Sequence, residues 1–129
     1  MNLKIEISKS KTLNGIRCVV AGADIKKGEV IEKCPVIIIS EQDLSHIENT
    51  VLTKYEFRWD DNDECIVLGY GSLINHSNHP NVEYEPDYEN KVMVFRAIKN
   101  IRAGEELLED YNQGDHSEPL AEEYTDYLH

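Results

Sequence analysis

The chain has 129 residues, 40% hydrophobic and 29% charged, which is enough for one compact core and too ordinary a mixture for disorder except at the ends. Thirteen Lys and Arg against 25 Asp and Glu give a formal net charge of −12, so no basic stripe is available to displace phosphate counterions and direct nucleic-acid binding is not expected. No apolar run of about 18 residues could cross a membrane, and the start Met1 to Glu6 lacks a signal-peptide core, so a cytoplasmic location is expected.

In chain order, Leu3, Ile5 and Ile7 alternate with Lys4 and Glu6, the two-residue period of a half-buried strand. Ile16 to Ala21 is dense in β-branched residues and predicts a second strand. A turn over Asp24 to Glu29, with Gly28 free to take positive φ, leads to a long β-prone stretch from Val30 to Ile39. Pro35 within it predicts an edge or a bulge. Ser40 followed by Glu41 and Asp43 has the form of a capped helix start, and the helix is expected to run to about Leu52. Tyr55 to Trp59 alternates aromatic and charged residues; Asp60 to Asp63 is a turn cluster, lacking the spaced ligands of a calcium loop.

Cys65 to Tyr70 and Lys91 to Ile98 predict two more strands, the second with Met93, Phe95 and Ala97 on one face. Asn100 to Glu105 repeats the I-x-x-G-E pattern of the first turn, an echo of turn chemistry and not a repeat architecture. Leu120, Tyr124, Tyr127 and Leu128, three and four apart, suggest a short amphipathic helix in the tail. Many short strands with only brief helices make a β-rich single domain over residues 1–129. With no βαβ alternation and no G-x-G-x-x-G pattern, a doubly wound α/β fold is excluded. Cys18, Cys34 and Cys65 are odd in number, far apart and without a C-x-x-C pair, which speaks against disulfides and structural zinc. His76 and His79 lack a third ligand at a credible spacing, so no metal is expected.

Two segments carry the chemistry. Asn75-His76-Ser77-Asn78-His79-Pro80-Asn81 is a loop crowded with donors and acceptors, which cost free energy when buried unpaired. Further on the chain reads Gly104-Glu105-Glu106-Leu107-Leu108-Glu109-Asp110-Tyr111-Asn112. The pairing of an N-H-S-x-x-P-N loop with a later G-E-E-L-x-x-D-Y stretch resembles the SET-domain family of protein-lysine methyltransferases, in its small stand-alone viral and bacterial form. The likeness runs from about Leu13 to Asn112.

That resemblance implies a β-clip-like fold closed by a C-terminal pseudoknot, with residues 113–129 standing where a cysteine-rich segment often follows the domain. It implies S-adenosyl-L-methionine as cofactor, S-adenosyl-L-homocysteine as product, and Tyr111 as the catalytic residue. Asn75, His76 and the Ile16-Arg17-Cys18 stretch would bind cofactor, joined by Tyr55; Tyr70, Glu109 and Tyr124 would line the substrate channel, for which Trp59 is a further candidate. The family's usual G-x-G pair is replaced by Ile16-Arg17-Cys18, with Gly15 one place off. Glu109 stands where the family commonly has a phenylalanine or tyrosine that sets the methyl count. The expected partner is a lysine-rich protein, histone-like or ribosomal, drawn by the acidic surface; a histone substrate would place the protein in a host nucleus, and a homodimer is allowed. The alternatives are a degenerate SET fold that binds a basic tail without turnover, and a purely structural interaction domain acting through its acidic face.

Overall fold

The computed structural model describes residues 3–112. β1 (Ile5–Lys9) and β2 (Arg17–Ala21) form a two-stranded antiparallel ribbon, Ile5 opposite Ala21 and Lys9 opposite Arg17. Only the Ile5 end of β1 reaches the core; Ile7 is 41% exposed, and among the described residues β1 pairs with no strand but β2. A seven-stranded sheet follows, built from β3 (Val30–Ile39), β4 (Glu56–Arg58), β5 (Glu64–Val67), β6 (Asn75–His76), β7 (Val82–Asp87), β8 (Val92–Ala97) and β9 (Leu108–Glu109) in the order β4-β5-β3-β8-β7-β9-β6.

Three local expectations are corrected. Pro35 does not mark the bulge, since the register shift lies between Val30 and Glu32; β3 is interior in the strand order, yet it pairs on one side only at Pro35, a local edge. Pro35 is instead the last residue facing β8 before Val36 to Ile39 turn to pair with β5, so its missing N–H falls where one ladder hands over to the other. The helix expected from Ser40 to Leu52 is one turn, α1 (Glu41–Leu44), followed by a 3₁₀ turn over Val51–Lys54; Ser40 offers no side-chain cap, and neither turn buries a residue. Helices this short need a packed apolar face, and none is buried here. The strand from Cys65 stops at Val67, and Tyr70–Leu73 coils into a second 3₁₀ turn. β7 went unpredicted, although Val82, Tyr84 and Pro86 alternate with Glu83 and Glu85.

The two I-x-x-G-E turns clasp each other. Ile25 and Ile101 exchange both backbone hydrogen bonds at 2.8 Å. Asn100 Oδ1 accepts the Lys27 N–H and Asp24 Oδ1 accepts the Ala103 N–H, each at 2.9 Å. Gly28 and Gly104 take φ of 89° and 90°, so both turns need a residue tolerant of the left-handed region. Beyond Gly104 the closing segment pairs with β2, Leu107 N–H donating to the Val19 carbonyl at 2.8 Å. It then enters the sheet as β9, parallel to β6 on one side and β7 on the other. Residues 77–81 therefore join strands that flank the closing one. Phe95, fully buried, centres the core, with Phe57 at 6.0 Å and Tyr84 at 5.9 Å between ring centroids.

Candidate active site

β9 brings the two sequence segments into register, Asn75 opposite Leu108 and His76 opposite Glu109. Asn81 fastens the join: its carboxamide donates to the Glu106 carbonyl at 2.9 Å and accepts the Leu108 N–H at 2.8 Å, while its backbone N–H donates to the Leu108 carbonyl at 3.0 Å. Asn75, fully buried, donates from Nδ2 to the Arg17 carbonyl at 2.9 Å and so ties the loop to β2. The buried His76 ring accepts the Tyr111 N–H at Nδ1, 3.0 Å away, which leaves Nε2 as the protonated nitrogen, donating to Asn78 Oδ1 at 3.2 Å. Tyr111 packs on that ring at 5.1 Å, and its hydroxyl donates to the Ile74 carbonyl at 2.7 Å. Tyr111 is thus held at its backbone N–H and at its hydroxyl.

Arg17, whose carbonyl holds Asn75, also reaches Tyr55, its guanidinium Nη2 donating to the Tyr55 phenol oxygen at 3.5 Å. Arg17, Tyr55, Asn75, His76 and Tyr111 therefore form one group, close enough for the Tyr55 hydroxyl to act on Tyr111 electrostatically. Ile16 is half-buried, its carbonyl accepting the Ser10 N–H at 2.8 Å, and Cys18 is wholly buried, with its thiol pushed up by burial and by Glu106.

Tyr111 also borders a cleft of about 540 Å³, walled with it by Trp59, Tyr84 and Tyr88. Among the described residues four carboxylates, Glu56, Asp60, Asp61 and Glu64, line it against the one cation Arg58. Burial raises the Glu56 and Glu64 carboxyls above the usual range; Glu64 raises Glu56 further, whereas Arg58 opposes the shift at Glu64. An incoming cation would relieve that repulsion.

Glu109 is fully buried, close enough to Tyr84 and Tyr111 to act on both hydroxyls, and neither of its oxygens has a hydrogen-bond partner among the described residues. Desolvation holds its carboxyl well above the carboxylate range. Burial, then Glu109, push the Tyr84 and Tyr111 hydroxyls upward, so both stay protonated donors. Tyr70 is not in the cleft; it is half-buried against the core, its N–H directed at Glu32. Tyr124 lies outside the described residues. Tyr84 went unassigned in the sequence, though the step of two from Val82 along N-V-E-Y could have placed it on the cleft side; Asn81 stood in the quoted loop without a role.

A family model for the SET domain matches residues 16–112. The chain belongs to the SET domain family. It is 36% identical over 87 residues, 67% of this chain, to a Schizosaccharomyces pombe protein named histone-lysine N-methyltransferase, H3 lysine-37 specific, of which it spans 58% of the length. It resembles the crystal structure of a candidate histone methyltransferase of Plasmodium falciparum, with 35% identity, a TM-score of 0.66, and coverage of 84% of this chain and 92% of that one. A Chaetomium thermophilum Polycomb Repressive Complex 2 bound to S-adenosylmethionine shares the fold, at 24% identity and TM-score 0.71 over 84% of this chain and 15% of that one.

Proposed function

We propose that this SET domain transfers a methyl group from S-adenosyl-L-methionine to a lysine side chain of a basic protein, with Tyr111 as the catalytic residue. The observation that carries this reading is the position of Tyr111, locked by His76 and Ile74, bordering the acidic cleft and coupled to the Arg17, Tyr55 and Asn75 group. That group suits the cofactor's amino-acid end, since it presents the exposed Arg17 guanidinium, a natural partner for a carboxylate, beside the Tyr55 hydroxyl. The bound cofactor supplies an electrophilic methyl on a positively charged sulfur. The reading also takes the 77–81 loop as the one beneath which β9 threads.

The chain's own residues then do three things. The acidic cleft gathers a basic segment, and its carboxylates hold the flanking cations. The walls of Tyr84 and Tyr111 desolvate the lysine amine, whose free pKa of about 10.4 must fall before its lone pair can attack. The Tyr111 oxygen, its proton committed to the Ile74 carbonyl, turns a lone pair toward the amine and aligns it for in-line displacement. The S. pombe relative, named for histone H3, makes that histone the first substrate to try.

Intact-mass spectrometry of histone H3 and ribosomal proteins after incubation with cofactor reports transfer and methyl count together. Transfer should fall about tenfold or more in Tyr111→Phe, which removes the aligning oxygen. Unchanged transfer would remove Tyr111 from the mechanism.

A further inference from the structure

Glu32 sits on β3, far in sequence from the site, yet its carboxylate reaches the 3₁₀ turn that leads into Asn75. Oε1 accepts the Gly71 N–H at 3.0 Å and the Cys34 Sγ–H at 2.9 Å; Oε2 accepts the Tyr70 N–H at 3.4 Å. The turn's own cap residue is Gly69, which has no side chain to offer its open N–H groups. The cap is borrowed from another strand. A Cβ on Gly69 would lie 2.9 Å from Glu32 Oε2 and 2.7 Å from Cys34 Sγ, so the glycine is what admits the carboxylate.

Downstream, the Ile74 N–H donates to the Gly71 carbonyl at 3.4 Å, and the Ile74 carbonyl accepts the Tyr111 hydroxyl at 2.7 Å. One path of hydrogen bonds thus runs from Glu32 through Gly71 and Ile74 to the Tyr111 phenol. We propose that Glu32 is a positioning residue for Tyr111: its carboxylate holds the turn, the turn aims the Ile74 carbonyl, and that carbonyl sets the direction of the phenol's proton and lone pairs. The inference rests on the proposed role of Tyr111 in methyl transfer.

A double-mutant cycle with histone H3 and S-adenosylmethionine tests it in the full chain. Glu32→Ala should lower kcat about tenfold with KM for histone changed less than about threefold, because alignment is lost and the cleft is untouched. In a Tyr111→Phe background the same substitution should cost less than about twofold, the two effects being one. Glu32→Gln, which keeps one acceptor for the Gly71 N–H, should recover most of the loss. Equal losses from Glu32→Ala in both backgrounds would overturn the proposal. A second arm needs no turnover: in protein carrying ¹³C-labelled tyrosine, the ring signal missing from Tyr111→Phe should shift in Glu32→Ala and stay put in Lys33→Ala. If histone is never methylated while that signal shifts, the catalytic reading fails and the positioning path stands. If the signal does not move, in Glu32→Ala or, should that variant fail to fold, in Glu32→Met, which fills the space but offers the turn no carboxylate acceptor, the path itself is refuted.

Discussion

Replacing Glu109 with glutamine separates the cost of burying a carboxyl from the cost of ionising it. The side chain is fully buried on β9 and unpartnered among the described residues, and desolvation raises its folded-state pKa well above the ordinary value. The unfolded chain ionises this group near the usual glutamate value of about 4.3, whereas the folded chain keeps the proton. Stability contributed by Glu109 is therefore complete below that value and is lost as pH rises toward the folded pKa, by about 1.4 kcal/mol for each pH unit over which only the folded state holds the proton. Glutamine has nearly the same volume and polarity as the neutral acid but nothing to ionise. For a domain of this size, about 1 kcal/mol corresponds to roughly 4 °C in Tm. Thermal unfolding followed by circular dichroism should then show the two proteins melting together near about pH 4, with Glu109→Gln gaining roughly 5 °C per pH unit above it until the wild-type group finally ionises. Glu56 and Glu64, whose carboxyls are also raised, change both proteins alike and cancel in the difference. A Tm difference independent of pH would mean that the folded protein solvates or pairs this carboxyl, and the account of a neutral acid near Tyr84 and Tyr111 would be wrong.

Two further outcomes test the scaffold. Gly71→Ala places a methyl against the Phe95 ring, so it should destabilise by about 1–3 kcal/mol in urea titration, and a loss near zero would show that the turn can slide off the core. In the clasp of the two turns, Asp24→Ala and Asn100→Ala each remove the acceptor of one backbone N–H in the partner turn, at about 1 kcal/mol apiece. Because both bonds close the same interface, the double variant should depart from additivity by at least about 0.5 kcal/mol; strict additivity would mean that the turns act independently.

Much of the architecture was legible because its signals are local. The strands at 17–21, 30–39 and 92–97 announce themselves through β-branched runs, and the two turns through glycines that take positive φ. The echo between those turns reads in sequence as mere repetition. In space it is reciprocal, since Asp24 and Asn100 each bond to the other's turn at the same offset. What the chain conceals is whatever depends on a partner far away along it. The helix expected after Ser40 carries Leu44, Ile47 and Val51 at helical spacing but buries none of them, and no local cue reports what a face will meet.

The site divides along the same line. The Asn75 to Asn81 loop and the Tyr111 segment could be named from their residues, yet neither sequence says that Tyr111 is fixed through the Ile74 carbonyl and the His76 ring. Tyr70 was expected in the channel because aromatic residues near a polar loop are plausible walls. Gly69 and Gly71 turned the chain there, pressing the backbone onto Glu32 and Phe95. The cleft wall fell instead to Tyr84, on the strand that β9 joins at Val82. Parallel insertion of a two-residue strand is what brings Glu109, Tyr84 and Tyr111 together, and it is fastened by Asn81, whose amide bonds the backbone of the closing segment at Glu106 and Leu108. The chemistry is therefore written in residues that can be read singly, and their alignment in hydrogen bonds spanning 25 to 58 positions, which no short window along the sequence contains.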